Sequence, residues 1–178
     1  MKIKSLQLLL LALVLVMVGV YQLNAQQGKP RQSPKMTATG KISGANVTIT
    51  YSSPSVKGRK IWGDLVPYDK VWRTGANEAT LIETDKDLIV EGKKLPAGKY
   101  SLYTIPGEKE WQVIINAQTG QWGIQRSGET TRDALKDVLV ITVKSHPSDA
   151  MEESMVFKIN KKGFVLRWEN LEVPVAVK

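Results

Sequence analysis

The sequence has 178 residues, with 25 Lys and Arg against 17 Asp and Glu, a formal net charge of +8, one His and no Cys. These totals point to one modest domain and exclude a thiol nucleophile, a disulfide framework and any Cys-ligated zinc or iron site. His146 stands directly before Pro147. A His-rich metal cluster is therefore excluded, and a Ser-His-Asp arrangement has only that imidazole to draw on.

At the amino terminus, Lys2 and Lys4 precede an apolar run from Leu8 to Tyr21, and Leu23-Asn24-Ala25 ends in a small residue suited to signal peptidase. The run is shorter than the roughly 20 apolar residues of a spanning helix. Residues 1–25 are thus expected to be a cleaved signal peptide, which places the protein in the periplasm or outside the cell with no membrane span after cleavage; a retained anchor is the alternative. No Cys follows to carry a lipid. Residues 26–35, with Gly28, Pro30 and Pro34, read as a flexible leader, and residues 36–178 as the folded domain. An exported domain without cysteines must be stabilised by packing.

From there period-two alternation dominates, bounded by Gly, Pro, Asn and Asp. Val47, Ile49 and Tyr51 share one face of a first strand. Asp85-Lys86 is expected to reverse Thr80–Thr84 into residues 87–91 as a hairpin, and Leu95-Pro96-Ala97-Gly98 to turn the chain into residues 99–105. Pro106-Gly107-Glu108-Lys109 leads to a strand with Trp111, Val113 and Ile115 facing inward. Val138 to Lys144 is almost continuously apolar and β-branched, which predicts a central strand. Met155, Phe157 and Ile159 alternate, Lys161-Lys162-Gly163 turns, and Phe164, Leu166 and Trp168 alternate again. Val173, Val175 and Val177 form a last strand, with Pro174 tolerated at an edge. Residues 133–137 have room for a turn or two of helix. About nine short strands without an amphipathic helix predict an all-β, single-domain antiparallel β-sandwich, with an open barrel as the variant.

The stretch from Tyr51 to Thr80 breaks the alternation, and long loops in economical β-domains are either functional or disordered. Trp62, Trp72 and Tyr68 offer apolar area to hold this one down. Within it, Arg73 follows Trp72 and precedes Gly75, so a guanidinium can lie near an aromatic face where a glycine lets backbone approach. The plainer reading pairs Arg73 with Glu78 across the base of the loop. Lys57, Arg59 and Lys60, with Arg73, make a candidate anion site, against the plainer reading of a solvated surface. Nucleic-acid binding is not expected, because export removes the usual partner and Lys93, Lys94, Lys161 and Lys162 spread the charge. Trp111 and Trp168 fall on core faces. Trp62, Trp72 and Trp122 sit in loops, where they plug the ends of a sandwich or stack on a ligand.

Asp64, Asp69, Glu78 and Glu83 are the acids near this loop, and a pair at suitable separation would suit glycosidic hydrolysis. No nucleophile elbow, phosphate loop or dinucleotide fingerprint occurs, Asp85-Lys86-Asp87 lacks the downstream ligands of a calcium loop, and the sequon Asn46-Val47-Thr48 lies inside a predicted strand. Neither metal nor cofactor is expected.

The blocks Pro54-Ser55-Val56-Lys57-Gly58-Arg59, Leu65-Val66-Pro67-Tyr68, Val71-Trp72-Arg73-Thr74-Gly75-Ala76-Asn77-Glu78-Ala79-Thr80, Leu95 to Leu102 and Ile105-Pro106-Gly107 closely resemble the bacterial domain-of-unknown-function family 2911. The resemblance extends from about Ser33 to Val177 and is densest from Tyr51 to Asn116. It implies an exported, mainly β domain behind a signal peptide, with no assigned activity. Family members often carry Arg where this chain has Ser53, which weakens any anion site that arginine would share with Arg59 and Arg73.

These readings converge on a non-enzymatic binding or envelope-associated module with no catalytic residues. Its ligand site is expected around Trp72, Arg73, Asn77 and Glu78, with Arg59 and Lys57 nearby, and its partner is a small molecule or envelope component. The alternatives are a hydrolase using Glu78 or Asp64, and a structural protein that self-associates through an edge strand at residues 172–178.

Overall fold

A computed structural model describes residues 30–178. The signal segment and the first part of the leader lie outside the described residues. Two-residue turns with left-handed backbone punctuate the chain where the sequence permits them. Ser43 (φ 49°) and Gly44 (φ 80°) join β1 (Lys35–Ile42) to β2 (Ala45–Ser52), with Ile42 opposite Ala45. Such a turn matches the right-handed twist of its strands. Glu91 (φ 46°) and Gly92 (φ 80°) repeat the device between β4 (Leu88–Val90) and β5 (Lys93–Leu95).

The main layer is a six-stranded antiparallel sheet in the order β1-β2-β3-β6-β7-β8, with β3 Thr80–Thr84, β6 Gly98–Ile105, β7 Glu110–Asn116 and β8 Asp137–Lys144. The facing layer is built on β9 (His146–Asn160) and β10 (Gly163–Ala176). β10 folds back on itself at Glu169 (φ 54°): the Val177 amide donates to the Lys162 carbonyl at 2.8 Å, and Arg167 pairs with Glu172. A fully extended strand of that length would hold its ends more than 40 Å apart, so the limbs on either side of Glu169 lie side by side. The strand expected at Val173, Val175 and Val177 is the second of these limbs. On one flank of the layer residues 54–56 hydrogen-bond to β9, and on the other residues 89–91 bond to residues 176–178. Between the layers lies one apolar core, with Ile49, Ile82, Leu102, Trp111, Val113 and Ile141 from the sheet meeting Leu88, Leu95, Met155, Phe157, Leu166 and Val175.

The all-β sandwich expected from alternation is the observed fold, with three differences of detail. The stretch at Asp85-Lys86 is a crossing rather than a hairpin: β3 stays in the main sheet between β2 and β6, while β4 pairs with β5 in the opposite layer. The signal for the true hairpin was Glu91-Gly92. β8 is an edge strand, with Val138 and Val140 exposed and Leu139, Ile141 and Val143 buried. Unbroken β-branching reports a preference for extended backbone and says nothing about position within a sheet. Residues 172–178, the proposed edge for self-association, have neighbours on both sides, because the Ile89 and Lys178 amides exchange bonds at 2.7 and 2.9 Å. At residues 133–137, where the sequence has room for a turn or two of helix, a single 3-10 turn forms at Ala134–Lys136. Among the described residues no helix is long and apolar enough to cross a membrane.

Candidate functional site: a cationic cleft with an aromatic floor

After Ser52 the chain leaves the main sheet, and Pro54 and Val56 bond to Met155 and Glu153 of β9 at 2.9 and 2.8 Å. It re-enters at Trp72, whose amide and carbonyl bond to Thr104 of β6 at 2.7 and 2.9 Å, in line with the place β3 takes from Thr80 onward. Between these anchors four tryptophans meet. Trp62 packs edge-on against Trp72, Trp111 and Trp168 at 6.1, 5.1 and 5.7 Å, and Trp72 stacks on Trp168 at 6.1 Å with 18° between the rings. Trp111 and Trp168 are each only 1% exposed. The indole N–H groups of Trp62, Trp111 and Trp168 have no acceptor among the described residues. Trp62 and Trp72 thus plug the end of the sandwich. Trp122 is 51% exposed and stands outside the cluster.

From Trp72 to Thr80 the backbone makes a tight excursion, with left-handed angles at Thr74 (φ 56°) and Asn77 (φ 59°). A β-branched residue in that region is strained. Thr74 is nonetheless buried, within hydrogen-bonding distance of the Thr104 hydroxyl at 3.2 Å, and its carbonyl accepts from Thr80 Oγ1 at 2.7 Å. Gly75 fits closely here, since a Cβ would sit 3.0 Å from the Ser52 carbonyl oxygen and 3.1 Å from Thr80 Oγ1 and would press on both.

This excursion forms one side of a cleft of about 1050 Å³. Trp72 and Trp168 lie at its floor, with Leu65, Val71 and Ile124 along its walls. The opposite side is the segment 124–132, held by polar contacts far from it in sequence. Asn116, wholly buried at the end of β7, donates to the Asp133 carbonyl and the Asp137 carboxylate at 2.8 and 2.7 Å. Arg132 pairs with the same carboxylate. Gln121 donates to Ser101 and Tyr103 at 3.0 and 2.8 Å, and the Gly123 amide to the Asn77 carbonyl at 3.0 Å. Burial opposes ionisation of Asp137, but the hydrogen bonds from Arg132 and Asn116 outweigh it and hold the carboxyl below its ordinary range.

Lys57, Arg59, Lys70, Arg73 and Arg132 line the cleft against one acid, Glu129. Arg132 is neutralised by Asp137. Among the described residues no ion pair reaches Lys57, Arg59, Lys70 or Arg73. Arg59 donates to the Ser55 and Val56 carbonyls at 2.5 and 3.1 Å, and Arg73 to the Gly75 carbonyl at 3.2 Å. Burial lowers the pKa of the Arg73 guanidinium.

Of the six residues picked from the sequence, Trp72, Arg73, Arg59 and Lys57 come together here. Asn77 and Glu78 do not line the cleft. The Asn77 side chain donates to the Ser33 carbonyl at 3.2 Å, tying down the incoming chain. Glu78 accepts from Ser52 at 3.4 Å and borders a separate pocket of about 160 Å³. No Arg73–Glu78 ion pair forms: Arg73 donates to the Gly75 carbonyl, whereas Glu78 accepts from Ser52. Lys60 also lies off the cleft lining. Lys70, Arg132, Ile124 and Trp168 were not anticipated. Lys70 stood in the loop already singled out, but no local signal ties residues 124–132 to it.

Comparison with known proteins matches residues 33–177 to a family model described as a protein of unknown function, DUF2911. No curated protein and no solved structure matches the chain.

Proposed function

The chain belongs to the DUF2911 family of proteins of unknown function, and from that premise we propose that it is an exported, non-enzymatic binding module whose cleft takes a negatively charged small molecule or envelope component. The observation that carries this reading is the gathering of Lys57, Arg59, Lys70 and Arg73 around one aromatic-floored cleft with no side-chain ion pair to a carboxylate among the described residues, although the Glu153 carboxylate accepts from the Lys57 backbone amide at 2.9 Å. Like charges collected in a concave surface repel one another, and the potential they focus draws in anions. The strained backbone at Thr74 supports the reading, because strain of about 1–3 kcal/mol persists where surrounding structure over-determines a site. Export remains part of the proposal on the strength of Lys2, Lys4 and the run from Leu8 to Tyr21.

The hydrolase alternative calls for two carboxylates across a water-accessible cleft. Glu129 is the one acid lining the large cleft and Glu78 the one acid at the small pocket, while Asp64 lines neither. The arrangement therefore favours binding.

The test is a thermal-shift series on protein purified after export, with inorganic phosphate, tripolyphosphate and citrate at low and high salt. A ligand that prefers the folded state at about 100 times its Kd stabilises by about 2.7 kcal/mol. The expected result is a rise in Tm that fades with added salt and is lost in a K57A/R59A/K70A/R73A variant. Equal shifts in that variant, or none in the wild type, would refute the proposal.

A further inference from the structure

Arg73 is held differently from the other cations of the cleft. Lys57, Arg59 and Lys70 are exposed, whereas Arg73 is partly buried. Its stem lies across Gly123, where a Cβ would come within 2.2 Å of Arg73 Cδ and 2.7 Å of its Cβ. Its Nε is committed to the Gly75 carbonyl, and neither terminal nitrogen has a partner among the described residues. Arg59, by contrast, spends both Nε and Nη2 on its own loop. A guanidinium fixed through Nε with both terminal nitrogens uncommitted is a ready fork for the paired oxygens of a carboxylate or phosphate. Little rotamer entropy remains to be lost on binding. The cleft lining is mixed: Leu65, Val71, Trp72 and Ile124 supply apolar surface beside polar Gln125, Ser127 and Thr130.

Resting on the reading of the cleft as an anion site, we propose that Arg73 is the anchor for the head group of an amphipathic oxyanion, a carboxylate or phosphate monoester whose apolar body lies along Leu65, Val71, Trp72 and Ile124. Lys57, Arg59 and Lys70 steer the anion by charge. Arg73 selects it by shape.

Calorimetric titration of the purified protein with acetate, benzoate, benzamide and phenyl phosphate tests both parts. Benzoate or phenyl phosphate is expected to bind more tightly than acetate, and the uncharged benzamide not to bind. Arg73→Lys, which keeps the charge and loses the fork, is expected to weaken the better probe at least about tenfold. Gly123→Ala, which displaces the stem and leaves every charge in place, should weaken it similarly. Lys70→Ala should chiefly reduce the salt dependence. In the wild type, NMR signals of the Arg73 side-chain N–H groups should shift with phenyl phosphate, a readout that needs no variant to fold. Unmoved Arg73 signals in the presence of bound probe, or undiminished binding by R73K and G123A, would overturn the anchor and leave the charged cleft standing. Acetate binding as tightly as benzoate would overturn the apolar half. Failure of all four probes alongside a response to tripolyphosphate would overturn the head-group assignment alone, whereas failure of every anion would remove the cleft reading with it.

Discussion

Arg73 and Asp137 show how the same physics gives opposite expectations at two charged side chains. Arg73 has lost part of its hydration and gained no counter-charge among the described residues, so Arg73→Met, which retains most of the stem, should leave Tm within a few degrees of the wild type or raise it. Had it been the staple suggested by its nearness to Glu78 in sequence, the same change would lower Tm sharply; a melting curve separates the two. Asp137 is mostly buried and compensated by Arg132 and Asn116. Its folded pKa lies below its unfolded one, so its contribution to stability is complete above the ordinary carboxylate pKa of about 3.9 and drains away as pH falls through the lower, folded value. Urea unfolding between pH 2 and 7 should show that acid limb in the wild type and a flatter one in Asp137→Asn. At neutral pH the variant should be weaker by an amount between the ~1 kcal/mol of an exposed pair and the ~3–5 kcal/mol of a fully buried one. Residue chemistry was readable for Arg73, which stood out between Trp72 and Gly75. It was unreadable for Arg132, whose neighbours in sequence say nothing of Trp72.

Among the elements, the segment 53–79 is ordered by docking rather than by regular secondary structure. Its alternation fails because its apolar residues serve several surfaces: Val56 and Ile61 join the core, and Trp62 and Trp72 join Trp111 and Trp168. Trp72→Ala removes both a cluster member and the side chain at the Thr104 bridge, and should cost about 3 kcal/mol or more. It should also raise amide hydrogen exchange across residues 57–76. Trp122→Ala, half exposed and outside the cluster, should stay within about 0.5 kcal/mol of the wild type. Similar losses at the two positions would mean that the cluster does not order the loop. Alternation distinguished Trp111 and Trp168 as core, but the three loop tryptophans look alike in sequence. Their difference arises only when Trp72 finds Thr104. β1 was hidden for a related reason, because its residues are mostly exposed and carry little alternation, and it forms by pairing with β2 through the Ser43-Gly44 turn.

At the scale of the whole molecule, the flanks of the second layer are closed by segments distant in sequence. Val177 is buried and Lys178 exchanges backbone bonds with Ile89, so a chain ending at Ala176 should be less stable by about 2 kcal/mol in denaturant unfolding. No loss would mean that the β4 pairing contributes little. Sequence by itself determined that the chain is all β, since period-two burial and turn residues are local properties, and that the core rests on packing without disulfides. It also marked the stretch from Tyr51 to Thr80 as the place where something other than a strand is specified. Only the tertiary structure decided that β3 and β4 belong to opposite layers, that β10 doubles back at Glu169, and that residues 124–132 complete a cleft with Arg73 while Asn77 and Glu78 turn away from it. Those outcomes depend on which surfaces meet after the strands have formed, and side chains far apart along the chain settle that choice by fitting together.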